Sequence, residues 1–156
     1  MSKTISEIAS TLNGSCHCGN IRFYIESNVN PSSFSPRECD CDFCQKHGVQ
    51  YFSDNDGSLS FAVKDETRIQ KYKTGNRIAD FLVCSDCGVM VGIVLILEEG
   101  KFGAVNCRAI DGNQVWGDPM DVSPQCLSEE QKISRWKSAW FANVSIQDAD
   151  LMTLLE

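Results

Sequence analysis

The sequence predicts a mainly β fold with a short helical segment near its C-terminal end. Short runs rich in aromatic and β-branched residues recur along the chain, separated by turn signals such as Asp56-Gly57 and Thr74-Gly75-Asn76, the pattern of strands joined by tight connections. Seven of the nine cysteines fall into three tight clusters, Cys16-x-Cys18, Cys39-x-Cys41-x-x-Cys44 and Cys84-x-x-Cys87, a spacing that suits thiolates converging on tetrahedral ions. After Ser128 the hydrophobic period changes from that of strands to that of a helix.

Taken in order, Ile5, Ile8 and Leu12 stand at near-helical spacing, which allows a short docked helix or a loose tail. From Gly19 to Glu26 the run alternates and is rich in aromatic and β-branched residues, so it reads as a strand leaving the first cysteine pair. A turn-rich stretch from Ser27 to Pro36 leads to the middle cluster. Further strands are expected at Leu59 to Val63, Arg68 to Tyr72, Ile78 to Val83, Val89 to Leu97 and Lys101 to Asn106. Ser128 with Gln131 forms a capping-box signature, and Ile133, Trp136, Ala139 and Trp140 follow at helical spacing. A second short helix is expected around Gln147 to Leu155. There is no internal repeat, low-complexity tract or long linker, so one zinc-binding domain over residues 1–156 is expected.

Composition narrows the function. A chain of 156 residues with 42% hydrophobic residues can bury an ordinary core and does not need metal merely because it is small. The formal charge of −7 and the lack of a basic stripe argue against nucleic acid as a partner. No secretory leader pattern opens the chain, and the longest apolar stretch, Val89 to Leu97, is interrupted by Gly92 and too short for a bilayer. A cytoplasmic protein with no membrane partner is expected. In a reducing compartment an odd number of cysteines points to metal ligation rather than disulfides.

The clusters divide by count. Cys84-Ser-Asp-Cys87-Gly88 has the form of a zinc knuckle, and Cys16-His-Cys18-Gly19 also ends in glycine, so these pairs would close a structural four-sulfur site. Cys39, Cys41 and Cys44 then supply three ligands, the pattern of a reactive zinc with an exchangeable fourth position. A thiol entering that position would lose its proton and become a nucleophile. Two alternatives stay open: His47, three residues after Cys44, could close the second site, or oxidation of its three cysteines could release metal in storage or redox sensing. His17 should point away from the metal held by its neighbours. Cys107 reads as a small buried residue and Cys126 as an exposed one. Trp116, Trp136 and Trp140 read as core or subunit-contact aromatics rather than as a ligand box.

Gly14-Ser-Cys-His-Cys-Gly19, Cys39-x-Cys41-x-x-Cys44-x-Lys46-x-Gly48 and Phe81-x-x-Cys84-x-x-Cys87-Gly88 together resemble the glutathione-dependent formaldehyde-activating enzyme family, which includes centromere protein V. The resemblance runs from about Gly14 to Asp111. It implies several antiparallel sheets of the Mss4-like type. It also implies a structural zinc on Cys16, Cys18, Cys84 and Cys87 and a catalytic zinc on Cys39, Cys41 and Cys44. The activity implied is carbon–sulfur lyase chemistry, the joining of a small thiol such as glutathione to formaldehyde or another small carbonyl compound, and its reversal. Lys46 and His47 are the nearest proton donors in sequence, and Arg37, Lys46 and Arg108 are candidate partners for the thiol's carboxylates. The family commonly has serine and arginine where this chain has Asp42 and Gln45, which would weaken anion binding if those side chains face the pocket. The competing expectation is a non-catalytic zinc-stabilised binding module, in which His47 or Cys107 completes the second site.

Overall fold

Alternation in sequence becomes two faces in space. The structure, a computed structural model, describes residues 10–74 and 77–147. Its strands are β1 (Ser10–Ser15), β2 (Ile21–Ser27), β3 (Arg37–Cys39), β4 (Tyr51–Phe52), β5 (Ser58–Val63), β6 (Ile69–Tyr72), β7 (Asp80–Cys84), β8 (Met90–Leu97), β9 (Gly100–Asn106), β10 (Met120–Val122) and β11 (Asn143–Ile146), with helices α1 (Asp42–His47) and α2 (Glu129–Ala139). The expected mainly β class is what forms. A four-stranded sheet runs β1-β2-β5-β11, and a seven-stranded sheet runs β10-β3-β4-β9-β8-β7-β6. Pairing is antiparallel except at two edges, where β11 lies parallel to β5 and β10 parallel to β3.

In β2 the residues Ile21, Phe23, Ile25 and Ser27 are buried while Arg22, Tyr24 and Glu26 are exposed, the period-two pattern of a sheet with one wet face. Phe23 and Ile25, with Leu59 and Phe61 of β5, meet Leu82, Val94 and Val105 of the larger sheet in a first core. β8 is buried on both faces from Met90 to Leu95. Its Ile93 and Leu95 enter a second core with Phe81, Phe102 and Trp140, and Cys39, Cys41 and Cys44 border or join that core. The seven-stranded sheet thus separates a structural interior from the layer that carries the middle cysteine cluster. Gly14 shows how tightly the first core closes: a Cβ there would lie 2.2 Å from the Phe23 ring and 2.4 Å from the Ala109 carbonyl oxygen.

The predicted helix forms as α2, with Ser128 and Gln131 making both capping-box bonds. Its last carbonyls would be orphans. Asn55 donates to the carbonyls of Lys137 and Trp140, each at 2.8 Å, and Ser53 donates to Ala139 at 2.8 Å. α2 contains no fully buried residue, so it lies over the second core as a roof rather than inside it.

Leu12, read with the near-helical N-terminal pattern, lies in β1, where Leu12 pairs with Ile25; tertiary pairing overrides a weak local period. Ile5, Ile8, the Gly75-Asn76 turn and the expected helix beyond Gln147 fall outside the described residues. Among the described residues, no helix is long and apolar enough to cross a membrane.

Candidate metal centre

The first two cysteine pairs sit on the β1–β2 and β7–β8 connections, so they join the two sheets. Cys16, Cys18, Cys84 and Cys87 bring their sulfurs within 4.8 Å of one another, with Cys16–Cys18 at 3.7 Å and Cys18–Cys84 at 3.6 Å. A tetrahedral ion with metal–sulfur bonds of about 2.3 Å needs sulfur–sulfur edges of about 3.8 Å, which these separations match. They are far too long for a disulfide. Gly19 and Gly88 take positive φ values of 84° and 78°, turning the chain back so that backbone N–H groups face sulfur. Ile21 donates to the Cys16 sulfur at 3.3 Å.

The thiols therefore do not ionise alike. Burial, the largest influence, raises the Cys84 thiol to about 12. At Cys87 burial also pushes upward, but the N–H groups of Cys18 and Val89 and thiol hydrogen bonds outweigh it, leaving about 6.

The middle cluster is shaped by α1. Cys41 is the N-cap, its sulfur accepting from the Cys44 N–H at 3.5 Å, and Gly48 closes the helix in the left-handed conformation at φ 63°. Cys39 ends β3, so strand end and helix start together bring three sulfurs within 4.8 Å. No fourth His, Cys, Asp or Glu joins this set among the described residues. A hydrogen bond from Cys44 lowers the Cys39 thiol to about 6 against the opposing effect of burial, and the same shared proton, followed by burial, raises Cys44. The cluster can thus present a thiolate at neutral pH before any ion enters. Both donor sets suit a thiophilic ion such as zinc.

These sulfurs border a cavity of about 570 Å³, within the usual range for small-molecule sites. Tyr51 is only 7% exposed and places its hydroxyl 3.1 Å from the Cys44 sulfur. Burial, then the negative charge of Cys44, raises its phenol well above the usual value, so the hydroxyl keeps its proton and can donate. Arg37 lines the cavity and donates to Ser53. Burial and the nearby Arg135 charge lower it to about 10, which leaves it cationic at neutral pH. Lys46, Lys132 and Arg135 add positive charge to the lining, and Asp42 adds one carboxylate.

Several sequence readings are settled by placement. His17 is exposed and outside its neighbours' sulfur set. His47 is exposed, packs its ring 4.5 Å from Phe43 and lines no part of the cavity. Neither His47 nor Cys107 joins the three sulfurs. Cys107 is buried, and its thiol is raised to about 12 chiefly by that burial, while Cys126 is exposed. Arg108 bonds the Gly48 carbonyl at 3.2 Å and does not reach the cavity lining. Gln45 also points elsewhere, so of the two departures from the family pattern only Asp42 faces the site.

Trp116 is a core aromatic against Phe34 and Phe52. Trp140 belongs to the second core and Trp136 packs against it, in line with the sequence reading, and the two rings, stacked at 4.6 Å and 11°, also line the cavity. Tyr51, Arg135 and Lys132 were not anticipated. Tyr51 lies seven residues beyond Cys44 on a strand of only two residues, and the α2 charges face the site only because α2 folds back over it.

The structure is thus that of a β-rich protein with two cysteine sets that could hold metal ions, the smaller one bordering a cavity. Residues 11–123 match the family described as glutathione-dependent formaldehyde-activating enzyme, and the chain belongs to that family. A solved structure of a Rhodobacter sphaeroides protein is similar to 65% of this chain and 90% of its own, at 25% identity and a TM-score of 0.47. No curated protein matches the chain significantly.

Proposed function

We propose that this protein is a zinc-dependent carbon–sulfur lyase acting on adducts of a small thiol, glutathione in the first instance, with formaldehyde or another small carbonyl compound. The observation that carries the reading is the contrast between a set of four sulfurs and a set of three, bordering a cavity, that no other ligand among the described residues completes. Zinc held by Cys39, Cys41 and Cys44 would favour the thiolate form of an incoming thiol, acting as a mild Lewis acid because three thiolates already donate to it. Cys16, Cys18, Cys84 and Cys87 would hold a structural zinc that ties the sheets together.

The chain's own groups supply the rest. Arg37, Lys46, Lys132 and Arg135 offer positive charge to the two carboxylates of glutathione. In the forward reaction the S–H adds across C=O: a carbon–sulfur bond forms, the carbonyl π bond breaks and the thiol proton ends on oxygen. Lys46, which lines the cavity, is better placed than His47 to pass that proton. With Cys44 bound to metal as thiolate, the Tyr51 hydroxyl, 3.1 Å from its sulfur, would donate to it and steady its charge. A non-catalytic module would need His47 or Cys107 to complete the second set; among the described residues neither belongs to it, which supports the lyase reading.

Exchange NMR of glutathione with formaldehyde tests this. The metal-loaded protein should accelerate exchange into S-hydroxymethylglutathione, and Cys41→Ser should remove that acceleration while Cys16, Cys18, Cys84 and Cys87 still bind one metal. Equal exchange rates with and without the metal-loaded wild type would refute the activity.

A further inference from the structure

The cavity is built unevenly. Its charges come from β3, α1 and α2, whereas the wall supplied by the segment from β6 to β8 contributes Tyr72, Thr74, Ile78, Ala79, Phe81 and Ile93 and, among the described residues, no charged one. Phe43 extends that wall, its ring 4.3 Å from Phe81 and 5.1 Å from Tyr72. The stacked rings of Trp136 on α2 and of Trp140, its C-cap, line the same space. Formaldehyde has a single carbon, and glutathione is a polar tripeptide without a ring. Phe81, Ile93 and Trp140 are largely buried in the second core, while Phe43 and Trp136 are half-buried and Tyr72 is 45% exposed; neither compound offers a ring to the aromatic surface left open to the cavity, although apolar lining contributes binding only when it meets apolar ligand.

Building on the thiol-lyase reading above, we propose that the carbonyl compound handled at this site is an aryl aldehyde, its ring seated among Phe43, Phe81, Ile93 and Trp136. The thiol's carboxylates then lie toward Arg37 and Arg135. The balance is that of a simple addition: the thiol S–H adds to Ar–CHO, the carbon–sulfur bond forms, the π bond opens and the proton moves to oxygen. Nothing is oxidised or reduced. Trp136 is a specificity-determining residue in this arrangement, since it is half-buried and presents a ring to the cavity.

Stable thioethers test the assignment without turnover. S-benzylglutathione keeps the tripeptide and carries a ring, S-methylglutathione is the small control, and S-hexylglutathione is apolar without a ring. Binding to the zinc-loaded protein is read by calorimetry and by tryptophan fluorescence. The benzyl compound should bind at least about tenfold more tightly than the methyl compound, equivalent to about 1.4 kcal/mol. It should also bind about threefold or more tightly than the hexyl compound, in line with ring–ring preference. Trp136→Ala should reduce the benzyl-to-methyl ratio to about twofold, and Trp136→Phe should keep most of it.

Equal binding of benzyl and methyl compounds, with glutathione still competing, would overturn the aryl assignment and leave the lyase reading standing. Hexyl binding as tight as benzyl, or a ratio unmoved by Trp136→Ala, would overturn it equally. If neither the thioethers nor glutathione bind, the lyase reading falls and the assignment falls with it. Should Trp136→Ala fail to fold, Trp136→Phe and the wild-type comparison decide the matter.

Discussion

Removing one oxygen atom, in Tyr51→Phe, should weaken the three-sulfur site and leave the four-sulfur site intact. The hydroxyl lies 3.1 Å from the Cys44 sulfur, in surroundings where Tyr51 is 7% exposed and Cys44 2% exposed. Water therefore has little room to replace the lost donor. A hydrogen bond to a charged acceptor contributes about 1.5–3 kcal/mol, which agrees with the roughly 10–100-fold loss of metal affinity seen when a group bonded to a metal ligand is removed. Phenylalanine keeps the ring, so packing of the second core changes little. The assay is a zinc competition titration against a chromophoric chelator that resolves two sites. The expected result is one site weakened about 10–100-fold and the other unchanged. Equal weakening of both sites would show a global loss of stability, and no change at either would show that the hydroxyl does not support a metal-bound Cys44; each result would refute the reasoning.

Cys84→Ser removes a fully buried member of the four-sulfur set and should cost at least about 4 kcal/mol, or about 8–16 °C in unfolding midpoint for a chain of this size, checked by thermal unfolding of metal-loaded protein. In metal-free protein Cys39, lowered to about 6, should be largely ionised at pH 7. Its alkylation rate, followed by peptide mass spectrometry, should therefore fall as pH drops through about 6, whereas an apparent pKa in the ordinary thiol range would contradict the shared-proton geometry. Phe61→Ala empties a fully buried position between the sheets and should destabilise by about 3–5 kcal/mol without changing the zinc stoichiometry. Arg135→Ala should weaken glutathione binding about two- to fivefold, as expected of an exposed charge, and affect an uncharged thiol less; equal effects on both would remove Arg135 from carboxylate recognition.

The site was legible where chemistry is local. Cysteine spacing alone separated a set of four from a set of three, because ligands two or three residues apart on a turn have few places to point. The glycines after the knuckles were equally readable, and Gly19 and Gly88 adopt the positive φ values that their position implies. The long alternating strands and the capped helix α2 carried strong periodic signals. What escaped was short or distant. β3, β4 and β10 have two or three residues each, too few for any period, and they exist because the sheet supplies partners. α1 hid inside the cysteine cluster, although Cys41 as cap and Gly48 as terminator were a usable signal. The helical spacing of Trp136 and Trp140 announces the packing they do, since sequence shows which face of a helix is apolar, but it does not show that the same face roofs a cavity. Tyr51 reaches Cys44 through strand pairing of β3 with β4, in which Arg37 lies opposite Tyr51, and that register has no signature in a two-residue strand.

The most direct test of the open-site account is zinc per chain by elemental analysis on wild type and Cys41→Ser, followed by zinc-edge X-ray absorption with and without glutathione. Two zincs falling to one in the variant, with sulfur coordination rising when glutathione is added to the wild type, is the predicted result. A single zinc under metal-replete conditions, or a second zinc whose coordination is indifferent to thiol, would contradict it.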